Sequence, residues 1–172
     1  TLKFCDYAMH GQGELNEQMS QYCIQKNEPQ NLQAYLKCYL GSTGTPADAA
    51  KCVQTTKINQ TKLKACIAET DKTYKVNSGF NAKNTWVSGQ FPQFNIFKAD
   101  NTKYNVAGSP TLVINGETIS ASRDSASLLK TICSAFDNQP EECKVSLSSE
   151  QPSAGFGYNT AAAGSSPASC AT

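Results

Sequence analysis

The chain has one histidine, one tryptophan and two methionines in 172 residues, and its basic side chains exceed its acidic ones by one. A balance that even leaves no cationic surplus for neutralising phosphates, so no nucleic-acid partner is expected. No apolar run approaches the roughly 18 residues that a bilayer span needs. No C-x-x-C occurs; the nearest two cysteines, Cys133 and Cys143, have nine residues between them. Zinc sites are generally built from close pairs of ligands, so no metal is expected, and no cofactor-binding pattern stands out. A Ser/His/Asp set, a phosphate loop and paired catalytic carboxylates are also lacking. The chain starts at Thr1 without an apolar leader and reads as a mature or excerpted product.

What is abundant is cysteine. The eight stand at 5, 23, 38, 52, 66, 133, 143 and 170. An even number at wide spacing reads as a disulfide framework formed in an oxidising, extracytoplasmic compartment, whether secreted, periplasmic or cell-surface. Asn59-Gln60-Thr61 is a glycosylation sequon. The length suits one domain with a tail: a domain over 1–146, then a Ser/Ala/Gly-rich flexible segment over 147–172.

In chain order, Thr1 to Phe4 is a strand candidate and Asp6 to Gly13 a loop. Four helices follow, spanning about 13–70. Leu15, Met19, Tyr22 and Cys23 recur at helical spacing. Pro29 suits the first turn of a second helix, whose apolar face runs from Leu32 to Leu40. Thr45 caps a third before Pro46, and Asn59 caps a fourth carrying Leu63, Cys66 and Ile67. These placements suggest cysteine pairs. Cys38 and Cys52 flank the turn joining helices two and three; Cys23 and Cys66 lie on apolar faces of helices one and four. Cys133 and Cys143 bracket the end of the last helix, which leaves Cys5 with Cys170.

Between 70 and 104 the pattern is irregular. Phe80, Trp86, Phe91, Phe94, Phe97 and Tyr104 fit no single helical face; they form either a hydrophobic cluster under a long loop or an aromatic ligand groove. A β-hairpin is expected over 110–120, because Thr111 to Ile114 is a β-branched and aliphatic run. Asn115-Gly116 suits a type I′ turn, in which both central residues need positive φ. Ser109-Pro110 stands before it, where an X–Pro bond has a real chance of being cis. A last helix over 124–137 follows, with Ser122 or Asp124 as its cap.

Val106-Ala-Gly-Ser-Pro-Thr-Leu-Val-Ile-Asn-Gly116, Arg123, the helix Leu128 to Phe136 and Pro140-Glu-Glu-Cys143 together resemble the C-terminal half of DsbA-like thioredoxin-fold proteins. Met9-His10-Gly11 and the helix through Tyr22-Cys23-Ile24-Gln25-Lys26 resemble that group's helical insertion. The resemblance implies an α/β, disulfide-rich, thioredoxin-like fold with a four-helix insertion. It further implies thiol–disulfide exchange outside the cytoplasm, a cis Pro110, and a Ser109 backbone that pairs with extended peptide or a protein thiol or disulfide.

Members of that family act through a C-x-x-C at a helix N-terminus, where backbone N–H groups favour the thiolate. Two explanations fit its absence. Either Cys5-Asp-Tyr-Ala8 holds the active-site position as a monothiol with Cys5 as nucleophile, or Thr1 to Phe4 is the second strand. On the latter reading the first strand and the catalytic helix lie upstream. The gap would then be filled by a bound N-terminal piece, by a strand from another copy in a self-assembly, or by Thr1 to Phe4 pairing directly with the Thr111 strand.

Bland roles compete for the remaining polar residues. His10 suits a hydrogen bond at a helix entry, and Asp6, Glu14 and Glu17 suit a solvated turn and a first helical turn. Three functions stay open: a DsbA-like protein inactive as it stands, a disulfide-hardened structural or peptide-binding subunit of a cell-surface assembly, and a small-ligand carrier.

Overall fold

The computed structural model describes residues 1–152. The first half is an array of four helices: α1 (Gln12–Asn27), α2 (Pro29–Leu40), α3 (Pro46–Thr55) and α4 (Gln60–Tyr74). Three of the four starts have a local cause. Pro29 and Pro46 sit in first turns, where a missing N–H costs nothing. Thr45 and Asp48 form a reciprocal capping box, and the Asn59 side chain accepts from the Lys62 backbone N–H. The α4 helix ends at Lys75, left-handed at φ 55°, and a short helix α5 (Val76–Asn81) follows within the stretch whose sequence pattern is irregular.

Helix α1 packs against both α2 and α4, and α2 against α3. Two apolar clusters result. One gathers Cys23, Ile24, Tyr35, Tyr39, Cys52, Val53, Ile58, Leu63 and Cys66 among the four helices. The other sets Leu15 and Met19 of α1 against Ala8, Val76, Phe94 and Phe97. Two disulfides staple the array: Cys23–Cys66 joins α1 to α4, and Cys38–Cys52 joins α2 to α3.

The irregular aromatics are largely structural. Phe94 and Phe97 are buried, Phe4 stands edge-on to Phe94 at 5.8 Å, and Trp86 lies 5.5 Å from Phe80. This packing favours the cluster over the groove. A helix α6 (Lys98–Lys103) closes the region.

Thr1 to Phe4 forms no strand. The Gln25 side chain takes both backbone groups of Leu2, accepting from its N–H at 2.6 Å and donating to its carbonyl at 2.8 Å. With those groups engaged, Leu2 has nothing to offer a ladder. The extended pairing comes slightly later and elsewhere: Tyr7 bridges Gln93, the Ala8 N–H donates to the Pro92 carbonyl, and the Phe94 N–H donates to the Asp6 carbonyl. Direct pairing of Thr1 to Phe4 with the Thr111 strand does not occur.

The C-terminal part is a hairpin and a helix. Strands β1 (Leu112–Ile114) and β2 (Glu117–Ile119) pair antiparallel, Leu112 opposite Ile119 and Ile114 opposite Glu117. Asn115 and Gly116 have φ 51° and 88°, as the type I′ turn requires. Asp124 caps α7 (Ser125–Cys133), and Cys133–Cys143 ties that helix to the turn after it. The architecture is thus mixed helix and sheet, with three disulfides that join described residues to one another. Among the described residues, the sheet has two strands only. Neither apolar cluster includes a residue beyond Phe97.

Candidate functional site

Two places combine exposed or unsatisfied polar groups with room for a partner. The first is the loop before β1. The Ser109–Pro110 peptide bond is cis, and both residues are exposed. The Thr111 hydroxyl donates to the Gly108 carbonyl, which folds the loop onto itself. One edge of β1 pairs with β2; the other has no backbone partner among the described residues. Ile132, Phe136, Val145 and Leu147 are all at least 43% exposed, so the lobe holding this edge leaves much of its apolar surface bare. A two-stranded ribbon without a covered face is marginally stable by itself, and a bare edge accepts an added strand readily.

The second place is a cavity of about 810 Å³ walled by all four helices. Its floor is a stripe on α1 made of Glu14, Glu17, Gln18 and Gln21, spaced so that all four share one face. The Tyr35 hydroxyl donates to both carboxylate oxygens of Glu17, at 2.9 and 3.0 Å, and the Gln21 amide donates to one of them at 2.8 Å. Burial pushes the Glu17 carboxyl above its ordinary range, and the hydrogen bonds from Gln21 and Tyr35 pull against that shift without cancelling it. Tyr35 is fully buried, and its hydroxyl is held protonated by that burial and by the adjoining Glu17 charge. Gln18 is 7% exposed; its amide nitrogen donates to Glu14 at 2.9 Å, while its Oε1 is buried without a partner. Apolar side chains, among them Val53, Leu63 and Ile67, make the opposite wall.

The other residues singled out from sequence have structural settings. Cys5 is disulfide-bonded, so it presents no thiolate, and its reading as a monothiol nucleophile is corrected on that ground. The Cys5–Cys170 pairing involves a residue outside the described ones, as does most of the 147–172 tail. His10 is exposed, with its ring nitrogen 3.2 Å from Glu14. Asp6 accepts from Asn101 at 2.7 Å and ties the N-terminal segment to α6.

Glu14 and Glu17 depart furthest from their sequence reading. They suggest a solvated first turn, yet they line a cavity. The one partial signal in the sequence was their repetition with Gln18 and Gln21 at helical spacing. Among the described residues, no group of three or more His, Cys, Asp or Glu side chains could hold a metal ion, and no helix is long and apolar enough to cross a membrane. No family model, curated protein or solved structure matches the chain.

Proposed function

We propose that this chain is an extracytoplasmic, DsbA-like protein of thioredoxin-fold ancestry that holds extended peptide on the Ser109–Pro110 loop and the adjoining edge of β1. It does not exchange disulfides by itself, because 1–172 contains no C-x-x-C. The observation that carries the reading is an exposed Ser109–Pro110 loop directly ahead of a strand that has one edge without a backbone partner among the described residues. An extended peptide on that edge gains backbone hydrogen bonds in register, with little demand on its sequence. Three disulfides suit an oxidising compartment outside the cytoplasm.

Titrating the isotope-labelled protein with an unfolded, cysteine-alkylated polypeptide tests this. Amide shifts should concentrate between Gly108 and Ile114. Shifts confined to α1–α4, or none, overturn the reading. Insulin reduction should proceed at the rate of the buffer alone.

The bare apolar side chains of the same lobe favour one further reading, a structural subunit in which a strand from another copy occupies the β1 edge. Light scattering distinguishes the two. A concentration-dependent dimer that also buries the Gly108–Ile114 amides supports the subunit, and a monomer that binds peptide excludes it.

A further inference from the structure

We infer that the four-helix cavity is a binding site for a small organic ammonium ion carrying an apolar body. This site is separate from the β1 edge and does not depend on the peptide-binding reading. Its size comes first: about 810 Å³ lies within the range of pockets that enclose drug-sized molecules. Its chemistry is more selective.

The floor presents acceptors with spare capacity. Gln18 is more than nine-tenths buried, and its Oε1 has no partner. The amide cannot turn round to relieve this, because its Nε2 donates to Glu14; turning would set Oε1 against a carboxylate. The Glu17 carboxylate takes two hydrogen bonds on Oε1, from Tyr35 and Gln21, but only the 3.0 Å contact from Tyr35 on Oε2. A carboxylate can accept about four, so Oε2 has room for another donor. Both openings therefore call for a ligand group that donates.

Charge narrows the class. Glu14 and Glu17 stand on the floor, and Glu17 is held in a setting that penalises its negative charge. A cation placed there offsets that penalty, whereas an anion would face two carboxylates. The other ionisable groups lining the cavity are Lys64, His10, Tyr35 and Tyr39. Lys64 is exposed on α4, and His10 is exposed at the α1 entry beside Glu14; Tyr35 and Tyr39 are neutral donors already engaged, with Glu17 and with the Gly44 carbonyl. An ammonium head on Glu17 and Gln18 leaves the ligand's apolar body against Val53, Leu63 and Ile67.

The test uses the oxidised chain and three probes that share an eight-carbon tail: n-octylammonium, 1-octanol and octanoate, each titrated by calorimetry. The expected order is ammonium tightest, alcohol about tenfold or more weaker, and octanoate without measurable binding, a charge-assisted hydrogen bond supplying the difference. Glu17→Gln should bring ammonium down to the alcohol's affinity and leave the alcohol unchanged. Should that variant fail to fold by circular dichroism, Gln18→Leu narrows the same gap by deleting the unpartnered acceptor. Ala50→Trp, an exposed α3 position on the cavity lining, should block ammonium and alcohol alike. Equal binding of ammonium and octanoate overturns the proposal. So does ammonium binding that survives Ala50→Trp, or no binding by any probe.

Discussion

Of the three disulfides that join described residues, Cys23–Cys66 should be the most damaging to delete by replacing both cysteines with alanine. The two residues lie 43 apart in sequence, and their bond joins the two longest helices through the centre of the first apolar cluster. In the chain-entropy model that span corresponds to about 4 kcal/mol at room temperature. The same relation gives about 3 kcal/mol for Cys38–Cys52, separated by 14, and somewhat less for Cys133–Cys143, separated by 10. Burial widens the contrast. Cys23 is 0% and Cys66 5% exposed, so truncating both also leaves a void among Ile24, Tyr35 and Leu63. For a domain of ordinary stability, roughly 5–15 kcal/mol in total, the double variant should be close to unfolding at body temperature. Urea unfolding followed by far-ultraviolet circular dichroism and by Trp86 fluorescence measures it. Trp86 is the sole tryptophan, and its indole N–H donates to the Gly79 and Phe80 carbonyls at 3.1 Å. A loss at Cys133–Cys143 equal to or greater than that at Cys23–Cys66 would refute the claim that stapling α1 to α4 holds the helical array together.

Thr45→Ala should cost about 1 kcal/mol in the same unfolding assay, because it removes half of the α3 capping box, and Thr45→Ser should restore most of it. Gly116→Val should cost roughly 1–2 kcal/mol, since φ at this position is 88°. Its mark should be lost β1–β2 cross-strand contacts in nuclear Overhauser spectra, with α1–α4 unchanged, because no hairpin residue belongs to either apolar cluster. Two sets of carboxyls should act on stability with opposite dependence on pH. Hydrogen bonds from Thr43 to Asp48 and from Ser122 to Asp124 hold those carboxyls at about 2, so their contribution is full above the ordinary aspartate value of 3.8 and drains away as pH drops toward 2. Glu17 has the opposite sign: its folded value is raised, so the folded state loses ground as pH climbs from 4.5 through that value. Glu17→Gln should flatten the second slope and leave the first, as read from melting temperatures across the pH range.

Residues with local causes were the legible ones. Thr45-Pro46, Pro29 and Asn59 announce helix starts through groups within three positions of themselves, and Asn115-Gly116 announces its turn through backbone preference alone. The Cys23–Cys66 and Cys38–Cys52 placements followed, because these four cysteines lie at helix positions that the apolar spacing had already oriented. Non-local satisfaction was invisible. Nothing in Thr1 to Phe4 says that Gln25 will engage both backbone groups of Leu2, and nothing in Pro92 to Phe94 names Asp6 to Ala8 as its partner. The α1 stripe was misread for a related reason. Acids in a first turn suit the helix dipole whether or not another helix stands over them, so only the positions of α2, α3 and α4 reveal that Glu17 faces a cavity rather than solvent. The β1 edge was half legible: the loop and hairpin could be read, but not that the far edge of β1 has no backbone partner among the described residues.

The pairing of Asp6–Ala8 with Pro92–Phe94 has a consequence for a chain made on a ribosome. Phe4 and Tyr7 are synthesised early, yet Phe94, Phe97 and Phe91, the rings that they pack against, come more than eighty residues later. At ordinary elongation rates that is a wait on the order of ten seconds, during which these aromatics stand in water. The four helices need no such delay. Cys38–Cys52 lies wholly inside the span of Cys23–Cys66, so the array can close from the inside outward as it emerges. The segment around Phe4 can therefore dock only after α6 has been made, and the Asn101 amide, donating to the Phe4 carbonyl across 97 residues of sequence, marks that contact.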